Sequence, residues 1–125
     1  MHNGRSAEVV DDATHSVRAE ISREMVRLYK EQFGRGPTRA RTEFAGPDTV
    51  ISTLEDSLTP AERKLADMNE DQRLRDTRVF FQHATQTEFC EVIERLLERK
   101  VRAFVSGIDT SVDVSAEVFY LEVAS

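Results

Sequence analysis

The chain has 125 residues, of which 39% are hydrophobic and 32% charged, and its single cysteine, Cys90, excludes an internal disulfide. That size suits one domain, and no apolar run approaches the ~20 residues that span a bilayer, so the sequence predicts no transmembrane helix. The formal net charge of −6 weighs against a nucleic-acid partner, and a lone cysteine is typical of a protein kept in a reducing cytoplasm.

The first sixteen residues predict a flexible lead ahead of the domain, because they are polar and lack the apolar centre of a signal peptide. The domain itself is predicted over residues 17–125. Apolar side chains recur at helical spacing over residues 16–33, which predicts a first amphipathic helix. Gly34 is placed to cap that helix in a left-handed conformation, and Pro37 prevents the helix from resuming.

Two strands are predicted next, over residues 38–44 and 49–54. The sequence between them, residues 45–48, contains Gly and Pro and is typical of a turn, so the two strands should form a hairpin. Polar and apolar side chains alternate along both strands. This pattern predicts an antiparallel pair with one face against the core and one face in water.

Thr59, Pro60 and Glu62 predict a helix that starts with a capping box and ends near residue 68. Asn69 is then predicted to cap a long helix that runs to about residue 100. At ~1.5 Å per residue this helix would be on the order of 40 Å long, which is more than a domain of this size needs. We therefore expect its surplus apolar surface to pack against a second copy of the chain, making a homodimer.

Residues 101–108 and 116–123 alternate as two further strands around a polar turn at residues 109–113. The resulting order, α-β-β-α-α-β-β, predicts a single α+β domain with a mostly antiparallel sheet packed by helices, one of them long. The order of the strands within the sheet is left open by the sequence.

The arginines around the glycine-rich turn are the main functional signal in the residues themselves. Residues 18–41 carry seven Lys or Arg and three Glu in a chain that is acidic elsewhere. Backbone amides in such a turn can bind an anion, but phosphate loops precede a helix and this turn follows one. We take four arginines as the candidate interaction surface: Arg27, Arg35, Arg39 and Arg41. A nucleic-acid or anion-binding module that uses residues 18–41 is the alternative function.

Other chemistry-bearing residues give weaker signals. His83 and Cys90 share a face of the long helix, but a rise of roughly 10 Å separates them, so neither can activate the other. No further ligands cluster around them for zinc. Four acids could act as acid–base residues only if the fold gathers them: Asp56, Asp109, Asp113 and Glu122. We predict no catalytic residue, no cofactor and no metal.

Several motifs, taken together and in order, resemble a known family. They are Gly34-Arg35-Gly36-Pro37 after the first helix, Leu58-Thr59-Pro60-Ala61-Glu62 after the second strand, the basic stretch from Arg73 to Arg78, Val105-Ser106, and Phe119-Tyr120-Leu121-Glu122. The chain resembles the MpsC-like family over about residues 21–123. This small bacterial domain is named after the third component of the Na⁺-translocating, membrane-potential-generating Mps system. The family often has Asp after the third-strand serine, where this chain has Gly107.

The resemblance implies a small soluble accessory protein. Since the sequence shows no nucleophile–base pair and no metal-ligand spacing, we expect this accessory or regulatory protein not to be an enzyme. The resemblance also implies docking on a membrane system for ion or bicarbonate transport. The family carries over no catalytic residue, because none is established for it. We therefore expect a cytoplasmic homodimer whose partner is a membrane transport complex.

Overall fold

The computed structural model describes residues 12–123, with side chains from residue 17 onward. Within those residues the elements are helix α1 (Asp12–Phe33), strands β1 (Arg39–Phe44) and β2 (Thr49–Glu55), helices α2 (Pro60–Asp67) and α3 (Asp71–Leu97), and strands β3 (Val101–Asp109) and β4 (Val114–Leu121). The strands form one antiparallel sheet in the order β1-β2-β4-β3. The predicted α+β fold and element order are confirmed.

Helix α1 packs on strands β1 and β2 and supplies one side of the core. Its predicted stripe of Ile21, Met25, Leu28 and Tyr29 is buried. The residues that complete this core come from the sheet and from α3: Val50, Leu54, Phe89, Val92, Ile93, Phe119 and Leu121. The helix already includes residues 12–15, ahead of its predicted start. Residues 1–11 of the predicted lead lie outside the described residues.

Two of the predicted helix signals are confirmed. Gly34 has a φ of +80° and its amide donates to the Lys30 carbonyl at 2.9 Å, which is the left-handed end that glycine adopts without strain. Thr59 and Glu62 form the reciprocal capping box at the start of α2. Local residue types predict these features because both partners lie within four positions of each other in the chain.

The predicted cap of the long helix is wrong. Glu70, not Asn69, precedes α3, and its side chain makes no capping hydrogen bond. Asn69 has a φ of +61° and its amide donates to the Ala66 carbonyl, so it belongs to the end of α2. Asparagine is one of the residues that tolerates this left-handed conformation, and the tight link between α2 and α3 uses that property.

Candidate functional site

Arg35, at the centre of the glycine-rich turn, holds the chain that leaves β2. Its Nη1 donates to the Asp56 carbonyl and lies 3.3 Å from the Leu58 carbonyl oxygen. Its Nη2 lies 3.1 Å from Asp56 Oδ2. Hydrogen bonds from Arg35, and then from Thr38 and Arg63, hold the pKa of the Asp56 carboxyl below its usual value. Arg35 therefore joins the glycine-rich turn to the segment that begins at Leu58.

Arg63 of helix α2 bridges two aspartates. Its Nη2 donates to Asp56 Oδ1 at 2.6 Å and to Asp113 Oδ2 at 3.0 Å. The Asp113 carboxylate is buried and also accepts the backbone amides of Ser57 and Leu58, both at 3.0 Å. Asp56 and Asp113 have φ values of +60° and +57°. The fold thus gathers two of the four acids named from the sequence.

The other two acids lie apart from this pair. Asp109 accepts hydrogen bonds from the amide and the hydroxyl of Ser111, and those bonds hold the pKa of its carboxyl below the usual value. Glu122 is exposed after the end of β4. Both therefore occupy surface positions.

Arg78 of helix α3 is buried, with 1% of its surface exposed. Its Nε and Nη2 donate to the two carboxylate oxygens of Glu62, each at 2.7 Å, and Nη2 also reaches the Ser57 carbonyl at 3.3 Å. Its guanidinium carbon lies 3.8 Å from the centre of the Phe33 ring, a cation–π contact. A bidentate pair of this kind fixes geometry as well as contributing energy. Burial acts to raise the pKa of Glu62, but hydrogen bonds from Arg78 and Thr59 outweigh it and hold that pKa below its usual value.

Glu117 is a fully buried acid in the central strand β4. Its Oε2 accepts a hydrogen bond from the Tyr29 hydroxyl, and Ser106 lies opposite it on β3. Burial raises the pKa of Glu117 to about 7, while Ser106, Tyr29 and the Arg78 charge limit the rise. Burial and the nearby Glu117 raise the pKa of Tyr29 well above its usual value. The core therefore contains an acid that titrates near neutral pH.

Sequence reasoning did not predict that Arg78 and Glu117 are buried, although each carried a usable signal. Arg78 follows the buried Leu74 by four residues, one helical turn later on the same face. Glu117 precedes Phe119 by two residues, so the strand alternation already places it on the apolar face. In both cases the signal is a charged residue at a core position of a predicted helix or strand.

The arginines of the predicted interaction surface occupy separate places. Arg27 lines a cleft between α1 and α3, whereas Arg39 and Arg41 line another beside β1 and β2. Each has carboxylate partners: Arg27 with Glu24 and Glu31, both at 2.8 Å, Arg39 with Glu55 at 4.0 Å, and Arg41 with Glu43 at 3.6 Å. Arg35 pairs with Asp56. A binding role for these four residues stays a prediction.

His83 is exposed and Cys90 is half-buried on helix α3. Burial, and then the Glu94 charge, raise the pKa of the Cys90 thiol to about 11. The thiol is therefore protonated at neutral pH and is a poor nucleophile. Within residues 12–123, no cluster of three or more His, Cys, Asp or Glu side chains is placed to hold a metal ion.

The middle of helix α3 contributes no buried residue to the core. Residues 79–88 lie between the buried Arg78 and Phe89, and not one of them is buried. Val79 and Phe80 are 56% and 68% exposed. Phe81 is 38% exposed and contacts the Phe33 ring edge-on. Residues 79–87 contain no charged side chain, and we call them the uncharged segment.

Comparison with protein families identifies the group to which this fold belongs. Residues 13–123 match the family model described as the Na⁺-translocating membrane potential-generating system (MpsC). The chain belongs to the MpsC family. The match runs from α1 to β4 and confirms the resemblance seen in the motifs. Comparisons with curated proteins and with solved structures give no match.

Three of the MpsC motifs contact one another in this chain. Arg35 connects the glycine-rich turn to Leu58, and Arg78 connects the start of α3 to Glu62. Ser106 faces Glu117 across the β3–β4 register. No helix within the described residues has the length and hydropathy needed to cross a membrane. The motif residues of this MpsC-family member thus hold α1, α2, α3 and the sheet together.

Proposed function

We propose that this MpsC-family protein is a non-enzymatic accessory protein of a membrane system for ion or bicarbonate transport, and that it acts as a cytoplasmic homodimer. The family description supplies the transport context. The observation that carries the interaction role is the uncharged segment of α3, which combines apolar exposure with a lack of charge. Depletion of charge and enrichment in aromatic residues are typical of the buried centre of a protein interface.

A second copy of the chain is the occupant that best fits the uncharged segment. In a two-fold interface the same patch faces itself, so a charged patch would bring like charges together. This protein has a net charge of −6, yet residues 79–87 add nothing to that repulsion. Burying an exposed Phe side chain contributes roughly 1.5–3 kcal/mol. Phe80 from each copy would therefore be a main source of the dimer's stability.

The contacts among the motif residues support an accessory role over a catalytic one. Arg35, Glu62 and Arg78 are hydrogen-bonded to other parts of the same chain. A structural role in the fold is therefore enough to explain why these residues stand at these positions. Asp113 likewise accepts two backbone amides and Arg63. These groups act on the protein's own structure, which leaves the exposed surfaces for partners.

The dimer is tested by light scattering coupled to size-exclusion chromatography at tens of micromolar protein. We expect twice the chain mass for the unaltered protein and a monomer for Phe80→Glu, because two buried carboxylates would face each other near the two-fold axis. Lys64→Glu, at an exposed position on α2, is the matched control and should leave the dimer intact. A monomeric unaltered protein would refute the dimer.

The transport role is tested in cells that lack this chain. We expect lower Na⁺ extrusion or bicarbonate uptake than in the parent strain, with recovery on re-expression of the unaltered chain. Phe80→Glu should restore less of the activity than Lys64→Glu at equal protein level. Unchanged Na⁺ and bicarbonate fluxes in the deletion strain would contradict the role. The alternative, nucleic-acid or anion binding, predicts a steep salt dependence in titrations with RNA, DNA and nucleotides.

A further inference from the structure

A row of polar side chains crosses the inner face of the sheet beneath helix α1. The strand registers place Thr42, Ser52, Glu117 and Ser106 side by side, one from each strand. The first three of them are no more than 4% exposed. We call these four residues the polar row; on β2, buried apolar side chains lie on both sides of it. The core is therefore divided by a line of polar groups that ends in a buried acid and a serine.

Helix α1 is joined to the polar row at two points. The Ser22 and Thr42 hydroxyl oxygens lie 2.8 Å apart, and Thr42 Oγ1 lies 2.9 Å from Ser52 Oγ. Two turns further along α1, the Tyr29 hydroxyl donates to Glu117 Oε2. Ser22 is half-buried and lines an open cleft of about 450 Å³ between α1 and β1. The polar row thus leads from the rim of the domain to the carboxyl at its centre.

The Glu117 carboxyl has an oxygen without a hydrogen bond. Glu117 Oε1 and Arg78 Nη1 are both buried, and neither has a partner within the described part of the chain. Arg78 on α3 therefore acts on Glu117 through its charge, and Tyr29 is the other titratable group that faces it. The facing positions on β2 and β3 are Ser52 and Ser106. A carboxylate that is buried and incompletely hydrogen-bonded is costly, so ionisation favours contact with water.

We propose that Glu117 is a pH sensor whose ionisation loosens helix α1 from the sheet. Water would reach the carboxylate along the polar row from the cleft at Ser22, because this path crosses hydroxyls and avoids the apolar side chains on either side. Opening along it separates α1 from the sheet and leaves the strands paired, since the sheet is closed by its own backbone hydrogen bonds. The sensor depends on neither the transport role nor the dimer.

The direction of the response follows from proton release. With α1 away from the sheet, the Glu117 carboxyl lies in water and its pKa returns to the ordinary 4.5, whereas burial in the closed form raises that pKa to about 7. The open form therefore binds fewer protons between these values, and opening becomes more favourable as pH rises through this window. The opening equilibrium of α1 should increase on the order of fifty-fold between pH 5 and pH 8.

Hydrogen exchange of the full chain in low urea tests the sensor. Protection factors are measured at pH 5, 6.5 and 8 for the amides of residues 21–29 in α1 and 50–54 in β2. The α1 amides should exchange through a smaller opening, with a weaker urea dependence than the β2 amides, and their protection should fall on the order of fifty-fold across this pH range. Glu117→Gln, which cannot ionise, should remove most of this pH dependence. Glu122→Gln, at an exposed acid, should retain it.

A carbon-13 titration measures the ionisation of Glu117 directly. The Glu117 Cδ signal, assigned by its loss in Glu117→Gln, should titrate near pH 7 in the folded protein. The Tyr29 hydroxyl donates to the carboxylate and so lowers the pKa of Glu117. Tyr29→Phe removes this donor, and the midpoint of the Cδ titration should therefore move to higher pH. A tyrosine that only fills space would leave that midpoint unchanged.

Three results would overturn the proposal. The first is a Glu117 carboxyl that titrates near pH 4.5 in the folded protein. The second is an α1 protection profile with the same pH dependence in Glu117→Gln as in the unaltered chain. The third is equal protection and equal urea dependence of the α1 and β2 amides at every pH, which would mean that ionisation acts on the whole fold at once and not on α1.

Discussion

Glu117 accepts a hydrogen bond from the Tyr29 hydroxyl inside the core, and this contact joins the central strand β4 to helix α1. The two residues are 88 positions apart in the chain. A buried acid is costly when it is ionised, and it is tolerated here because hydrogen-bond donors and the Arg78 guanidinium surround it. The arrangement makes the stability of the core depend on pH.

Glu117→Gln should remove one pH-dependent contribution to folding. The native pKa of Glu117, about 7, is above the ordinary value of 4.5. Between these values the folded state holds a proton that the unfolded state releases, so this group's contribution to stability falls as pH rises through that window. The difference in the free energy of unfolding between the Gln variant and the unaltered protein should shift in favour of the variant by up to about 3 kcal/mol between pH 4.5 and pH 8.

Urea unfolding of both proteins at pH 4.5, 6 and 8 measures this difference. Tyr29, Ser106 and Arg78 face Glu117, and they are unaltered in the variant, so the comparison isolates the carboxyl. Glu122→Gln, at an exposed acid on the same chain segment, serves as the control and should follow the unaltered protein. Parallel pH profiles for Glu117→Gln and the unaltered protein would show that folding does not raise the pKa of Glu117.

Arg78→Ala should destabilise the fold strongly. It leaves the largely buried Glu62 carboxylate without its bidentate partner, and breaking such a pair costs about 3–5 kcal/mol. Arg73→Ala, which removes an exposed arginine five residues earlier, should change stability by no more than about 0.5 kcal/mol. Chemical denaturation compares the two variants. The double variant Arg78→Met with Glu62→Gln should recover part of the lost stability. A loss of stability in Arg78→Ala as small as that in Arg73→Ala would contradict the stabilising role of the Arg78–Glu62 pair.

The sequence predicts the features of this fold that depend on near neighbours. The α1 stripe, the Gly34 end and the Thr59 capping box all involve residues within a few positions of one another. The Asn69 cap was wrong because the link between α2 and α3 uses that residue for a left-handed turn instead. Local residue patterns allow Asn69 to be either a helix cap or a left-handed turn residue. The path of the two helices decides between these conformations.

The candidate site was harder to predict because its contacts are long-range. Arg35 meets Asp56 across 21 positions, and Arg63 meets Asp113 across 50. Spacing along the chain carries no information about such pairs. The acids Asp56 and Asp113 could be named from the sequence, but their pairing through Arg63 depends on the β2–β4 register, which the sequence left open.

Two glycines should respond to alanine in opposite directions. Gly34 has a φ of +80°, so Gly34→Ala should cost about 1 kcal/mol through backbone strain, although nothing lies within 4 Å of the added carbon. Gly107 sits in strand β3 with open space around it and no left-handed φ. Gly107→Ala should therefore stabilise the protein by about 0.5–1 kcal/mol. Thermal unfolding of the pair measures both, and a shift of the same sign in both variants would contradict the backbone argument.

Asp113→Ala should destabilise the junction between β2 and α2. The Asp113 carboxylate accepts the amides of Ser57 and Leu58, and each buried amide left without a partner costs about 1–3 kcal/mol. Asp109→Ala is the matched control, because that carboxylate accepts its hydrogen bonds from Ser111 and Val112, its near neighbours in an exposed turn. Urea unfolding should separate the two variants by at least about 2 kcal/mol.

Hydrogen exchange gives a second measurement of the same contact. In Asp113→Ala the amides of Ser57 and Leu58 should exchange faster than in the unaltered protein by more than the global loss of stability explains, because their acceptor is gone. In Asp109→Ala both rates should stay as they are. Slow exchange at both amides in Asp113→Ala would mean that another acceptor holds them, and Asp113 would then be a turn residue whose carboxylate adds little.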